Sequence, residues 1–187
     1  MLQGLSGPPL RPLGGESRGE VGLWTAKDSP LMSPTDPSRA QRYMEIALEE
    51  AAEAALRGEV PVGAVVVDGE TGEILAADGN RTEELRDATA HAEMLVLRKA
   101  AKMHGGGRLL GCDLYVTLEP CAMCAAAISF ARIRRLYFGA LDPKGGGVEH
   151  GPRFFDQPTC HHRPESYGGI DEIRAAAMLR EFFKERR

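Results

Sequence analysis

No stretch of this chain approaches the roughly 18 uninterrupted apolar residues that a membrane-spanning helix requires. Its N-terminal segment also lacks the cationic start and apolar run of a secretory signal. A soluble, cytoplasmic protein with no membrane partner is expected. Cysteine is scarce: four residues in 187 are too few for a disulfide framework. Two of them, Cys121 and Cys124, form a Cys-x-x-Cys pair that reads as metal or redox chemistry in a reducing compartment. A surplus of basic residues is missing as well. Lys and Arg number 23 against 27 Asp and Glu, a net charge of −4, with a pI near 5.8. A strongly basic nucleic-acid binder has a pI above about 9, so an RNA or DNA partner would need a local basic patch. What is present is ordinary: 43% hydrophobic and 27% charged residues fit a globular domain and exclude a fibrous repeat. The length suits one domain better than two.

The residues divide at about position 37. Before it, Pro8, Pro9, Pro12, Pro30, Pro34 and Pro37 stand among many Gly and Ser without a period of 2 or 3.6, which predicts a disordered tail over 1–37. A true extension, a start placed upstream of Met32 or Met44 and an expression remnant are all compatible with it. From 38 onward the pattern predicts a single folded domain, 38–187. Ser38 is a candidate cap for a helix carrying Met44, Ala47, Leu48, Ala51 and Ala55 on one face and ending at Gly58. Pro61 to Val67 reads as a buried strand, followed by a turn at 68–72 and a second strand near Glu73 to Ala77, together a hairpin. Thr89 is a plausible cap for a helix starting near Ala90, bearing Met94, Leu97, Ala100 and Ala101 and stopped by the glycines at 105–107. Cys112 to Leu118 is a strand, Pro120 suits a first helical turn, and Cys121 to Ala131 is a small-residue helix before a strand at Arg135 to Phe138. That strand-helix-strand unit implies parallel pairing. A Gly-rich loop at 139–147, an irregular segment to Pro164, a short strand near Tyr167 and a helix from about Asp171 complete an α/β sandwich on a mixed sheet.

Two helix starts carry the chemistry. On a helix, residues three apart are neighbours, so the thiolates of Cys121 and Cys124 can reach one cation. Helix N-termini also favour anions and lower thiol pKa values. His91, at the other helix start, can supply a third ligand. Three N/S ligands with one open position is the arrangement of a catalytic zinc, which acidifies water to a pKa near 7. Glu93, two residues after His91, is the natural proton carrier, since a fourth protein ligand would close the site.

His91-Ala92-Glu93 and Pro120-Cys121-Ala122-Met123-Cys124 reproduce the H-x-E and P-C-x-x-C signature of zinc deaminases. With Val60 to Val65, Asn80-Arg81, Asp87 to Met94, Tyr115 to Cys124, Arg132-Ile133, Tyr137 to Ala140, Asp142 to Gly145 and Phe182-Phe183, the chain from about 40 to 187 resembles the bacterial tRNA-specific adenosine deaminase family. The resemblance implies a cytidine deaminase-like, three-layer α/β/α sandwich on a five-stranded mixed sheet. It further implies one Zn2+ per subunit, a homodimer whose subunits complete each other's sites, and deamination of adenosine to inosine at wobble position 34 of a tRNA anticodon loop. By the same carry-over His91, Cys121 and Cys124 match the zinc ligands, Glu93 the proton shuttle, and Asn80 a contact to the substrate nucleotide. An anticodon base is already splayed from its stack and costs little to seat in a pocket. Gly145 to Gly147 followed by Val148, Glu149 and His150 departs from the shorter, less acidic loop the family leads one to expect.

Competing readings exist for each signal. Cys-x-x-Cys alone is equally a redox motif, but a thioredoxin-like site has no use for His91 and Glu93. A closed structural zinc site would recruit Cys112 or the Cys160-His161-His162 cluster, yet such sites favour two close-spaced ligand pairs. Cys160 to His162 is read as a structured loop, Cys112 as packing, and Ala125 to Ala127 as room for close packing on the sheet. Arg132, Arg134, Arg135, Lys144, Arg180, Lys184, Arg186 and Arg187 are either a phosphate-binding patch or solvated surface. Phe182 and Phe183 either stack on bases or divide between core and surface. The alternative activities are a free-base or nucleoside deaminase, acting on guanine or cytosine, and a non-catalytic RNA-binding member; the intact Glu93 speaks against the latter.

Overall fold

The valine run at 65–67 forms the middle of β1 (Gly63–Asp68), and its side chains alternate between two cores as a pleated strand requires. Ala64 and Val66 point to one face, Val65 and Val67 to the other, and all four are fully buried. In the computed structural model, which describes residues 37–186, five strands form one sheet in the order β2-β1-β3-β4-β5. β1 pairs antiparallel with β2 (Ile74–Gly79) and with β3 (Cys112–Leu118). β3, β4 (Arg135–Ala140) and the short edge strand β5 (Glu165–Tyr167) run parallel.

Helix α1 (Pro37–Leu56) packs Tyr43, Met44, Ala47 and Leu48 on one face of the sheet, beside Ala175 of α5 (Glu172–Lys184). Helices α3 (Ala92–His104) and α4 (Ala122–Ala131) cover the other face through Ala92, Val96, Leu97, Ala125 and Ile128. The result is the expected three-layer α/β/α sandwich on a five-stranded mixed sheet, and both covered faces explain why β3 is buried almost throughout. Glycine is required at position 63, because a Cβ there would collide with the backbone of Ala47 and Ala51, so α1 lies against β1 at backbone contact. Among the described residues no helix is long and apolar enough to cross a membrane.

Local details differ from the sequence pattern where tertiary partners intervene. Helix α1 opens at Pro37, and its inward row contains Ala54, with Ala55 only half-buried. The remainder of the expected tail lies outside the described residues. Thr89 does not cap α3. Its hydroxyl donates to Asp87 in a local turn, and the helix begins later, with His91 as N-cap. Pro120 likewise precedes α4, whose N-cap is Cys121. A four-residue helix, α2 (Thr82–Leu85), was not expected. It exists because the buried carboxylate of Glu59 accepts from the backbone N–H groups of Glu83 and Glu84 at 3.0 and 2.9 Å and from the Thr82 hydroxyl at 3.0 Å.

Candidate metal centre and active site

Both N-cap residues are extended, His91 at ψ 151° and Cys121 at ψ 171°, which turns their side chains off the helix starts toward each other. Cys124 follows in the first turn of α4 and is fully buried. His91 Nδ1 stands 3.7 Å from Cys121 Sγ and 3.6 Å from Cys124 Sγ. Zn–N near 2.0–2.1 Å and Zn–S near 2.3 Å at a tetrahedral angle separate N from S by about 3.6 Å. The three donors therefore already stand at the spacing of a zinc ligand set. They are also the one His, Cys, Asp or Glu group among the described residues that could hold a metal ion.

The electrostatics of the cluster favour a cation. The Cys121 thiol is pulled well down, first by the hydrogen bond from Cys124 and then by His91 and the Cys124 backbone N–H, against the cost of burial. Cys124 is pushed the other way, first because it donates to the Cys121 thiolate and then because it is buried beside Glu93. His91 is raised, chiefly by its contact with Cys121. One thiolate thus forms readily and the second resists, which is the situation a bound divalent ion relieves.

Glu93 lies in the first turn of α3 and is 4% exposed. Burial holds its carboxyl above the usual carboxylate range, opposed by its own backbone N–H and by His91, while the Cys124 thiol donates toward it. A carboxyl poised between proton binding and release is what general acid–base work needs.

Asn80 has a role that motif reading alone did not reveal. Its Oδ1 accepts the backbone N–H of Ala92 at 2.8 Å, a buried bond that caps α3 from the end of β2, since His91 makes no side-chain cap of its own. The helix start that presents His91 and Glu93 is thereby fixed from outside. Asn80→Ala is expected to lower stability by about 1 kcal/mol, the usual worth of a helix N-cap, read as a reduced urea midpoint at constant m-value. An unchanged midpoint would mean that water replaces the amide carbonyl.

The arginines divide by partner. Arg134 grips the buried Asp113 with two bonds of 2.9 and 2.7 Å, Arg135 pairs with Glu165 at 2.8 Å, and Arg132 donates to the His161 carbonyl at 2.8 Å. These three hold the structure together. Cys160 to His162 is a structured loop, with Ser129 Oγ donating to the His162 carbonyl at 2.8 Å and His162 Nε2 against the Ile133 carbonyl at 2.6 Å. Cys112 sits at the start of β3 in the core. Of the other cations, Arg187 lies outside the described residues, and Lys144, Arg180, Lys184 and Arg186 line a groove of about 940 Å³ together with Val60, Leu118 and Leu179. Phe182 and Phe183 separate as adjacent helical residues do. Phe182 is buried under the Arg186 guanidinium, whereas Phe183 is 48% exposed and lines the groove.

Comparison with known proteins agrees with this geometry. Residues 37–140 match the cytidine and deoxycytidylate deaminase zinc-binding region. A tRNA-specific adenosine deaminase of Agrobacterium fabrum is 62% identical over 145 residues, 78% of this chain and 94% of that protein. The tRNA-specific adenosine deaminase of Rickettsia bellii is 46% identical over 142 residues, 76% of this chain and 98% of its own length. A solved structure from a study of A-to-I editing by tRNA:A34 deaminases at the wobble position of transfer RNA is 61% identical. It superposes with a TM-score of 0.71 over 74% of this chain and 99% of that chain.

Proposed function

Since the chain belongs to the tRNA-specific adenosine deaminases, within the cytidine and deoxycytidylate deaminase zinc-binding family, we propose that His91, Cys121 and Cys124 hold its zinc and that Glu93 moves the protons. The protein is a zinc-dependent hydrolytic deaminase that converts adenosine to inosine at the wobble position of tRNA. The observation that carries the residue assignment is the spacing of the three donors, 3.6 to 3.7 Å from the imidazole to either sulfur, with a buried carboxyl one helical step away.

Bound at these donors, zinc supplies Lewis acidity that lowers the pKa of a water molecule to about 7. Glu93 takes one proton of the attacking water and gives it to a ring nitrogen as oxygen bonds to C6. It then takes the remaining proton from the added hydroxyl and gives it to the amine as the C6–N bond breaks and the C6 carbonyl forms. Adenosine and water become inosine and ammonia. Burial of Glu93 keeps bulk water from competing for these protons. Asn80 holds the start of α3 through Oδ1 and turns its amide nitrogen to the substrate nucleotide. Its carbonyl is already engaged with Ala92.

The anticodon loop lies in the groove rimmed by Lys144, Arg180, Lys184 and Arg186, with Phe183 available for stacking on a base. This answers how a chain of net charge −4 meets RNA, through a local concentration of cations. The domain 38–187 carries the activity in the cytoplasm, where its substrate is. It works as a homodimer, and Phe130, 68% exposed on the outer side of α4, is a natural part of the interface. Sedimentation at the mass of one chain would remove the dimer.

The deciding experiment is inosine formation in a transcribed tRNA bearing adenosine at the wobble position. The expected result is conversion at that position alone. Turnover of free guanine or cytosine without inosine in the tRNA would transfer the assignment to the base deaminases.

A further inference from the structure

Glu119 follows β3 directly, just before Pro120-Cys121, and the residue is 2% exposed. A buried carboxylate there needs partners. It finds them in the 142–150 loop, and all but Asp142 lie in the part that departs from the expected family loop. Oε1 accepts the backbone N–H groups of Val148, Glu149 and His150 at 3.2, 2.8 and 2.9 Å. Oε2 accepts the N–H of Asp142 at 3.0 Å and meets His150 Nδ1 at 2.7 Å. Five contacts thus gather both ends of the 142–150 loop on one carboxylate.

The loop in turn touches the metal centre and the groove. The Gly147 N–H donates to the Pro120 carbonyl at 2.8 Å, and Gly146 bridges to Cys121 as an antiparallel neighbour. Close approach is possible because the loop is glycine there: a Cβ at Gly147 would press on the backbone of Ala122, and one at Gly146 on the Glu119 carboxyl. At the other end, Asp142 Oδ1 accepts the N–H groups of Lys144 and Gly145 at 3.1 and 3.0 Å, which sets where Lys144 stands on the groove rim.

We propose that Glu119 is a positioning residue that ties the zinc ligand Cys121 to the RNA-facing Lys144, so that one buried carboxylate fixes both the metal site and the substrate loop. The Lys144 half of this statement rests on the RNA reading above; the Cys121 half does not. Glu119→Gln keeps the shape and one acceptor oxygen. That oxygen can retain the three N–H groups of 148–150, leaving an amide NH2 facing the Asp142 N–H. The Asp142 end is released, and with it both Lys144 and, through the Gly146 N–H that donates to the Asp142 carbonyl at 2.9 Å, the bridge from Gly146 to Cys121.

The test uses zinc-loaded full-length chain and an anticodon stem-loop with a wobble adenosine. Glu119→Gln is expected to raise KM about tenfold, the loss of a hydrogen bond to a charged group, while kcat falls less than about threefold. Lys144→Ala is expected to raise KM to a similar degree, and the double variant no more than about threefold beyond either, because the two act as one unit. Multiplying KM effects in the double variant, or an unchanged KM in Glu119→Gln, overturns the tie to Lys144. Release of zinc into EDTA is expected to be about tenfold faster in Glu119→Gln than in wild type or Lys144→Ala; equal rates overturn the tie to Cys121. This second readout needs no RNA turnover, so it stands even if the wild-type chain proves inactive on the stem-loop. Should Glu119→Gln not fold, His150→Ala removes only the imidazole contact to the same carboxylate. It is expected to speed zinc release about threefold, and a wild-type rate would count against the proposal.

Discussion

Glu93→Ala is expected to keep one zinc per chain and to lower kcat for wobble adenosine by about 10²–10⁴-fold, the range a positioned general acid–base contributes. The reason is positional. Glu93 sits two residues past His91 in the same helical turn, within reach of the Cys124 thiol, and among the described residues no carboxyl belongs to the donor group. Burial holds its carboxyl above the usual carboxylate range, the direction that suits a group which both accepts and gives a proton. Removing it subtracts the proton relay without subtracting a ligand. Metal analysis and inosine release on the same preparation separate these two functions. Retained turnover with retained zinc would sink the shuttle assignment. Loss of zinc together with turnover would instead make Glu93 part of the ligand set.

Cys124→Ala is expected to have the opposite signature: zinc falls below about one tenth of an ion per chain, and activity falls in proportion. A catalytic zinc rests on three protein ligands, and two remaining donors do not hold it against dilution. Cys124 is buried in the first turn of α4 and its thiol is pushed up beside Cys121, so its thiolate would be stabilised by a bound cation. Inductively coupled plasma analysis of the dialysed variant gives the metal content directly. Full occupancy would require another cysteine to take its place. Cys112 opens β3 in the core with its thiol toward the Leu110 carbonyl, and Cys160 is engaged with Ser129 and the His162 carbonyl. Neither belongs to the donor group. These positions also argue against the redox reading, because the histidine stands as close to both sulfurs as a shared metal demands.

Because Asn80 and Glu119 both act on helix starts, the centre is supported from two sides. Asn80 sets α3 and with it His91 and Glu93, while Glu119 sets the approach to α4 and with it Cys121. Orientation of ligands by such neighbours commonly changes metal affinity or activity by about 10–100-fold.

What the sequence determined by itself was whatever is encoded within one turn or one strand. The alternation of Val65, Val66 and Val67 fixes a buried strand, and Cys112 to Leu118 was delimited to the residue. Ligand spacing of three on a helix made Cys121 and Cys124 partners before any fold was known. His91 and Glu93 followed from the chemistry that such a pair needs. What only the tertiary structure decided were bonds between residues far apart in the chain. Thr89 has the composition of a cap, but the Asn80 amide reaches Ala92 first and moves the helix start. Glu59 creates α2 from 23 to 25 residues away. Arg134 and Arg135 look like RNA contacts until Asp113 and Glu165 neutralise them, and Phe182 and Phe183 are equivalent in sequence until the helix turns one inward. The physical reason is common to all of these. A side chain's local preference is worth about 1 kcal/mol or less, and a buried charge or unpaired N–H that must find a partner is worth more. The partner it finds is set by the packing of sheet and helices.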